Sequence, residues 1–488
     1  MNKKIIILST LALLSFSSQS CNDDFVEVNP TEAISAQDLS LFNNNEGAES
    51  FVTAIYAKFL DWNMSTFAWI GVSSITSDDA DKGSTPGDTG TDKDVLDALT
   101  FNATTPSFRD LFAAHYQGIN RCNQALVYLP QLNNADPALR SRLEGEAHFL
   151  RAFMYFTLVR TYGGVPIVDR IAIPGNDEDR KMLLTRKSKE EVYAFIESDL
   201  QTAIAALPEK SAYTGANVGR ASKGAAYALL AKVSMYQKKW QQVVNNCNLV
   251  TGYSLTDDFA EIYKVSGENN AESIFEIQGK GEAPAKGIQQ YSQVQGATGA
   301  GGWGWGFNAP SQGLVDAYNA EGDTERRNAT IIFRNSTLYD GRIVPSTVNN
   351  PYYNFKAYSS NYSGADHSDV NIRYLRYAEV LLMKAEALNE LGQTSQAILL
   401  LNQVRDRANI NPTTATSQAD VRIAIWKERR LELAFEHDRW YDLVRTGQAA
   451  AAMAANGKTF IVGKHELFPL PQTFIDEAQG LSAQNPMY

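Results

Sequence analysis

The sequence is poor in the residues that build active sites. Its 488 residues include three cysteines and five histidines. The histidines (His115, His148, His367, His437 and His465) stand apart, with no HExxH or other metal-ligand pair. No two cysteines have zinc spacing, and neither a GxSxG elbow nor a glycine-rich phosphate loop occurs. Acidic pairs such as Asp78-Asp79 are present, but a glycosidase needs two carboxylates facing across a bond, which spacing does not supply. The Glu428, Arg429, Arg430 and Glu432 cluster has helical spacing and reads as intrahelical pairs. Catalysis and a cofactor are therefore not expected, and no residue is assigned to a metal. Positive charge is scarce too: the net charge is −11, and removing the first 20 residues, which hold Lys3 and Lys4 and no acid, leaves −13. A surface of that sign disfavours nucleic acid and anionic headgroups as partners. No apolar run is long enough to span a bilayer.

What is present points to a large, mainly helical globular chain. Hydrophobic content is 44% and aromatic content 10%, enough for an ample core. The stretch 144–168 reads EGEAHFLRAFMYFTLVRTYGGVPIV, apolar on every side between 147 and 159. A helix with no polar face is buried inside a helical assembly. Gly163-Gly164 and Pro166 end it. Its embedded Glu146, His148, Arg151 and Arg160 must find partners, because unpaired buried charge is too costly.

Helical periodicity recurs over 46–60, 108–128 and 188–207, with Asp136-Pro137 opening the central helix and Ser188 and Glu191 forming a capping box. Two helix pairs follow, 221–236 with 240–250 and 374–391 with 395–408, of tetratricopeptide character. Helices over 422–435 and 439–446 complete the helical part. The stretch 77–94 reads as a long exposed loop. Residues from about 252 to 370 form a loop-rich insertion with strands at 273–277 and 331–334. Cys122 and Cys247 fall in helices and read as buried thiols, although an oxidising compartment would let them pair.

At the N-terminus, Lys3-Lys4, an apolar run and four small polar residues precede Cys21, which reads as a secretory signal over 1–20. A cysteine directly after small residues resembles a bacterial lipoprotein acceptor, with Ser18 where leucine is usual. Asn22-Asp23-Asp24 resembles the acidic tag of surface-exposed lipoproteins. Acyl chains on Cys21 would anchor the chain, and 21–36 would tether a single domain over 37–488. The alternative is an ordinary secreted chain.

The run 145–168 resembles the signature helix of the SusD/RagB family of outer-membrane nutrient-binding lipoproteins of Bacteroidetes. The likeness continues in AESIFEIQ at 271–278, RYAEVLLMKAEA at 376–387, ERRLELAFE at 428–436 with RWYDL at 439–443, and FPLPQ at 468–472 with Gln484-Asn-Pro486. It implies an all-α fold, with tetratricopeptide-like helix pairs cradling an irregular ligand-binding half. It also implies an outer-membrane, cell-surface lipoprotein that captures an oligosaccharide or polysaccharide for a SusC-like TonB-dependent transporter, without catalysis. A peptide-binding relative of the same architecture and a glycoside hydrolase are the alternatives.

Sugars present apolar C–H faces between hydroxyls, so a receptor needs open aromatic rings and polar side chains beside them. The sharpest candidates are Trp303 and Trp305 in GGWGWGF at 301–307, where glycines beside each ring exclude helix and weaken any strand. The two rings either serve together as platforms or divide, one inward and one outward. Asp78 and Asp81 are candidate hydroxyl acceptors. Trp69 precedes them as a ring for ligand or core, and Tyr352-Tyr353 form a second aromatic pair. Asn371 and Arg373 stand where a ligand in the irregular half would reach them.

Overall fold

The structure is a computed structural model that describes residues 36–488 apart from 86, 89, 281–286 and 361–367. The leader, Cys21, nearly all of the tether and His367 lie outside the described residues. The chain is mostly helical, with three short two-stranded antiparallel sheets among the described residues. No described helix is long and apolar enough to cross a membrane.

The central helix is Pro137–Tyr162. Asp136 accepts hydrogen bonds from the backbone N–H groups of Ala138 (2.8 Å) and Leu139 (2.9 Å), and Pro137 suits the first turn because its missing N–H is not needed there. Gly163 ends the helix at φ +76°, a conformation that favours glycine. Residues 149–159 are all buried, because Asn45–Lys58, Pro106–Tyr128 and Lys189–Ala206 pack around the helix. Its polar groups tie those neighbours together. Glu146 accepts from Tyr56 Oη and Arg220 Nη1, both at 2.9 Å. His148 and Arg151 share Asp199, and Arg160 reaches Asp438 at 2.9 Å.

The capping box of Ser188 and Glu191 is present at the start of Lys189–Ala206. Lys223–Tyr236 pairs with Trp240–Asn248, and Tyr377–Glu390 with Thr394–Arg407. The second of these pairs starts later than periodicity suggests. Ile372–Arg376 is a strand, antiparallel to Ser273–Ile277, and the helix opens only at Tyr377. The stretch 77–94 also differs from expectation, since 77–80 is buried. Ala80–Asp81 pairs with Ala309–Pro310, and Thr91–Asp97 is a helix. The insertion carries Ser273–Ile277 and Ile331–Phe333 as read, together with three unforeseen helices among its described residues, Tyr291–Gln295, Gln312–Glu321 and Thr324–Thr330. Phe259, Ile332, Val344, Tyr353 and Phe355 give it a hydrophobic cluster of its own.

The charged cluster of the helix Gln418–Leu433 is not a set of intrahelical pairs. Its partners come from other elements. Glu428 and Glu432 both bind Arg326. Glu432 also binds Arg376, which reaches Glu272 and Glu436 as well. Arg429 takes Asp442 and Glu379, and Arg430 takes Asp79. Burial alone would raise the Glu432 carboxyl, but Arg407, Arg376 and Arg326 overcome it and hold the group far below the usual range. Such groups lock the helix to the insertion, since removing one partner strands charge in the interior. Cys122 and Cys247 are buried and unpaired, and burial pushes the Cys247 thiol up to about 12.

Candidate functional site

The glycine-rich loop turns back over the short helix Tyr291–Gln295. Trp305 N donates to Gln293 O (2.9 Å), Phe307 N to Val294 O (2.9 Å), and Trp303 N and Gly304 N both donate to Ala297 O (2.8 Å). The glycines permit this contact. A Cβ at 302 would stand 2.3 Å from Ala297 O, and one at 304 would stand 2.4 Å from Gln293 O. The loop is therefore held in place by close backbone contact. Below it, His437 joins helix to scaffold. Ser73 spends its proton on Trp69 O, so His437 Nδ1–H donates to Ser73 Oγ (2.9 Å) and the bare Nε2 accepts from Tyr291 Oη (3.2 Å).

The two tryptophans divide. Trp305 is 38% exposed and meets Trp62 edge-on, with centroids 6.1 Å apart. Trp62 stacks on Phe67 at 4.9 Å, and Phe67 meets Phe307 edge-on at 5.0 Å. Trp62 opens a wide π-helical turn (Trp62–Thr66), and its N–H donates to Gln289 Oε1 at 2.7 Å. Trp303 is half-buried against Tyr358, at 5.7 Å, with the Arg342 guanidinium 5.0 Å from its ring centre. The surrounding loops close in from both sides. Asn349 N donates to Thr298 O (2.8 Å), Asn350 Nδ2 reaches Gly83 O, and Arg334 Nη2 donates to Asn349 O (2.7 Å).

Several other candidates are corrected by their surroundings. Trp69 is 1% exposed, packed among His437, Tyr441 and Tyr374, so it is core. Asp78 is buried and held by two hydrogen bonds of 2.7 Å from Arg439. Burial would raise its carboxyl, but Arg439 and Arg430 overcome that and keep it below the ordinary range. Asn371 is buried beside the strand Ile372–Arg376, accepting from Gly279 N and donating to Glu276. Arg373 is buried within that strand, and its guanidinium donates to Asn371 O and Lys264 O. Both side chains are closed off from solvent, and the one undonated group, Arg373 Nε, is buried 3.6 Å from Glu276 Oε1. Tyr352 is half-buried, donates to Gln312, and packs with Phe333 away from the tryptophan loop. Tyr353 is buried and props the loop through Thr298 O. Asp81 is exposed and pairs with Ala309 at the foot of the loop.

Trp62 was not picked out from the sequence, because nothing in Asp61-Trp62-Asn63 separates it from other aromatics. Among the described residues, no group of three or more His, Cys, Asp or Glu is placed to hold a metal.

Comparison with known proteins gives a consistent picture. Residues 271–488 match a family model described as the SusD family, and residues 41–235 match one described as starch-binding, associating with outer membrane. A SusD-like protein of Formosa agariphila is 29% identical over 76% of this chain and 79% of its own. A solved laminarin-binding SusD-like protein is 29% identical, covering 91% of this chain and 100% of its own, with a TM-score of 0.76. Surface glycan-binding protein A from Bacteroides fluxus is 26% identical, covering 91% and 99%, also with a TM-score of 0.76.

Proposed function

Because the chain belongs to the SusD family, we propose that it binds a neutral oligo- or polysaccharide at the outer membrane and passes it to a partner TonB-dependent transporter. The observation that carries this reading is Trp305, an open ring on a loop fixed by backbone contact and braced edge-on by Trp62. A fixed ring loses little freedom when a sugar face settles on it, so most of the contact energy remains as affinity. Asp81 and Asn349, both exposed near the loop, supply hydroxyl partners. Of the basic groups near the platform, Lys82 pairs with Asp94 and Asp88 and Lys93 with Asp92, while the Arg342 guanidinium lies against the Trp303 and Tyr358 rings. That leaves little to attract an acidic sugar and favours an uncharged one. The laminarin-binding relative supports the same reading. Anchoring through Cys21 and delivery to the transporter rest on the family resemblance.

The test is calorimetric titration with soluble α-1,4- and β-1,3-glucan oligosaccharides. Wild-type protein is expected to bind one series, and Trp305→Ala or Trp62→Ala to weaken binding about tenfold or more, the effect of roughly 1.4 kcal/mol. Undiminished affinity in both variants refutes the platform. Release of shorter sugars during prolonged incubation refutes a purely binding role.

A further inference from the structure

Two aromatic side chains stand out as open to solvent among the described residues: Trp305 at 38% and Tyr339 at 42% exposed. They belong to one half of the molecule, and a line of rings runs from Tyr339 to Trp303, two residues from Trp305 in the same loop. Trp303 touches Tyr358 at 5.7 Å, and Tyr358 touches Tyr339 at 5.7 Å. Tyr339 lies near the tip of a hairpin in which Asn335 and Val344 and then Leu338 and Arg342 are hydrogen-bonded across the strands. The hairpin leans on the glycine loop, with Arg342 over Trp303 and Pro345 against Gly301.

Beside Tyr339 is an open cleft of about 360 Å³ between this hairpin and the helix Thr324–Thr330. Ile332 and Leu338 form an apolar floor, Tyr339 a wall, and Glu325, Asn328 and Thr337 an exposed polar rim. The Tyr339 ring is braced by Phe355 at 5.9 Å and by the Lys264 ammonium at 5.3 Å. An apolar floor, an open ring and a rim of hydroxyl, amide and carboxylate match the alternating faces of a sugar unit.

We infer that the cleft at Tyr339 is a second saccharide subsite, which holds a later unit of the chain whose first unit rests on Trp305. The inference builds on the glycan-binding reading and adds that the protein favours chains long enough to reach both rings. Binding two points of one chain makes the second contact intramolecular, so affinity rises with length until both are engaged and then levels off.

The experiment is a titration of wild type, Tyr339→Ala, Asn328→Ala and Trp305→Ala with β-1,3- and α-1,4-glucan series from two units to eight. Wild-type affinity in the bound series should climb with length by about tenfold or more before its plateau. Tyr339→Ala should bind the shortest bound members as wild type does and lose that climb. Asn328→Ala should lose part of the climb, and Trp305→Ala should weaken every length. If wild type binds neither series, the functional reading falls and this one falls with it. If wild type binds and Tyr339→Ala follows the same length profile, the second subsite alone is refuted.

Discussion

Gly304→Ala tests whether the tryptophan loop is held by contact or by chance. Gly304 does not have the positive φ that alanine resists, so its backbone could accept the change. Space is what forbids it. The new methyl carbon would lie 2.4 Å from Gln293 O and 2.5 Å from Gly296 Cα. Ordinary contact begins near 3.4 Å, so the loop must retreat by about an ångström, and all the nearby atoms are backbone. That movement breaks the bonds from Trp305 N to Gln293 O and from Gly304 N to Ala297 O. Each contributes about 0.5–1.5 kcal/mol net, for a loss of about 1–3 kcal/mol. It also separates Trp305 from Trp62, forfeiting about 0.5–1.5 kcal/mol of ring pairing. The expected result is a lower melting temperature by calorimetry, a changed near-ultraviolet circular dichroism signal from the tryptophans, and weaker glycan binding. Gly175→Ala is the control, because Gly175 has φ +78° and open space around it. It should cost stability through backbone strain alone and leave binding untouched. If Gly304→Ala melts and binds like wild type, close packing does not hold the loop.

Arg376→Met removes a guanidinium shared by Glu272, Glu432 and Glu436, and should cost about 3–5 kcal/mol because buried carboxylates lose their partner. A loss below about 1 kcal/mol in chemical unfolding would show that the network relaxes without it. Stability should also fall as pH drops from about 6.5 to 4. Burial lowers His115, His437 and His465 to about 4, so across that window the unfolded chain binds protons that the folded one refuses. Glu268, raised by burial to about 8, acts in the opposite direction, since folding retains its proton, as do Asp79, Asp81, Glu146, Asp323 and Glu379, which burial also raises. Asp78, Asp199, Glu436 and Asp438, held low by basic partners after burial is overcome, side with the histidines. Below that window Glu432 and Asp442, both held low by arginines after burial is overcome, continue the decline. A melting temperature that is flat or rising on acidification from 6.5 to 4 would contradict this account.

Local chemistry accounts for what could be read in advance. Asp136 before Pro137 and Ser188 before Glu191 each act within a turn, and each is in place. Ser273–Ile277 is a strand as read, although all five of its residues are buried and the expected alternation is absent. The failures share a cause. Asp78 looks like a loop acid because its neighbours are glycine, aspartate and threonine, yet its partners Arg430 and Arg439 arrive from the far end of the chain. Arg373 reads as the approach to a helix, while its strand is set by pairing with Ser273–Ile277. Glu428 and Arg429 have intrahelical spacing, but their closest ion pairs lie with Arg326 and Asp442 on other elements.

The candidate site follows the same division. Trp305 could be picked out because glycine on both sides is a statement about space, and space is what the loop needs against Gln293 and Ala297. Tyr339 could not, because whether a ring stays uncovered depends on everything that fails to pack over it. Its sequence neighbours Leu338 and Asp340 are ordinary for a turn, and its exposure arises only when the hairpin, Phe355 and the helix Thr324–Thr330 come together. Buried charge and open aromatics are thus two results of one long-range arrangement. The scaffold pairs its arginines and acids inward, which leaves the rings of the loop-rich half as the surface a neutral sugar can use.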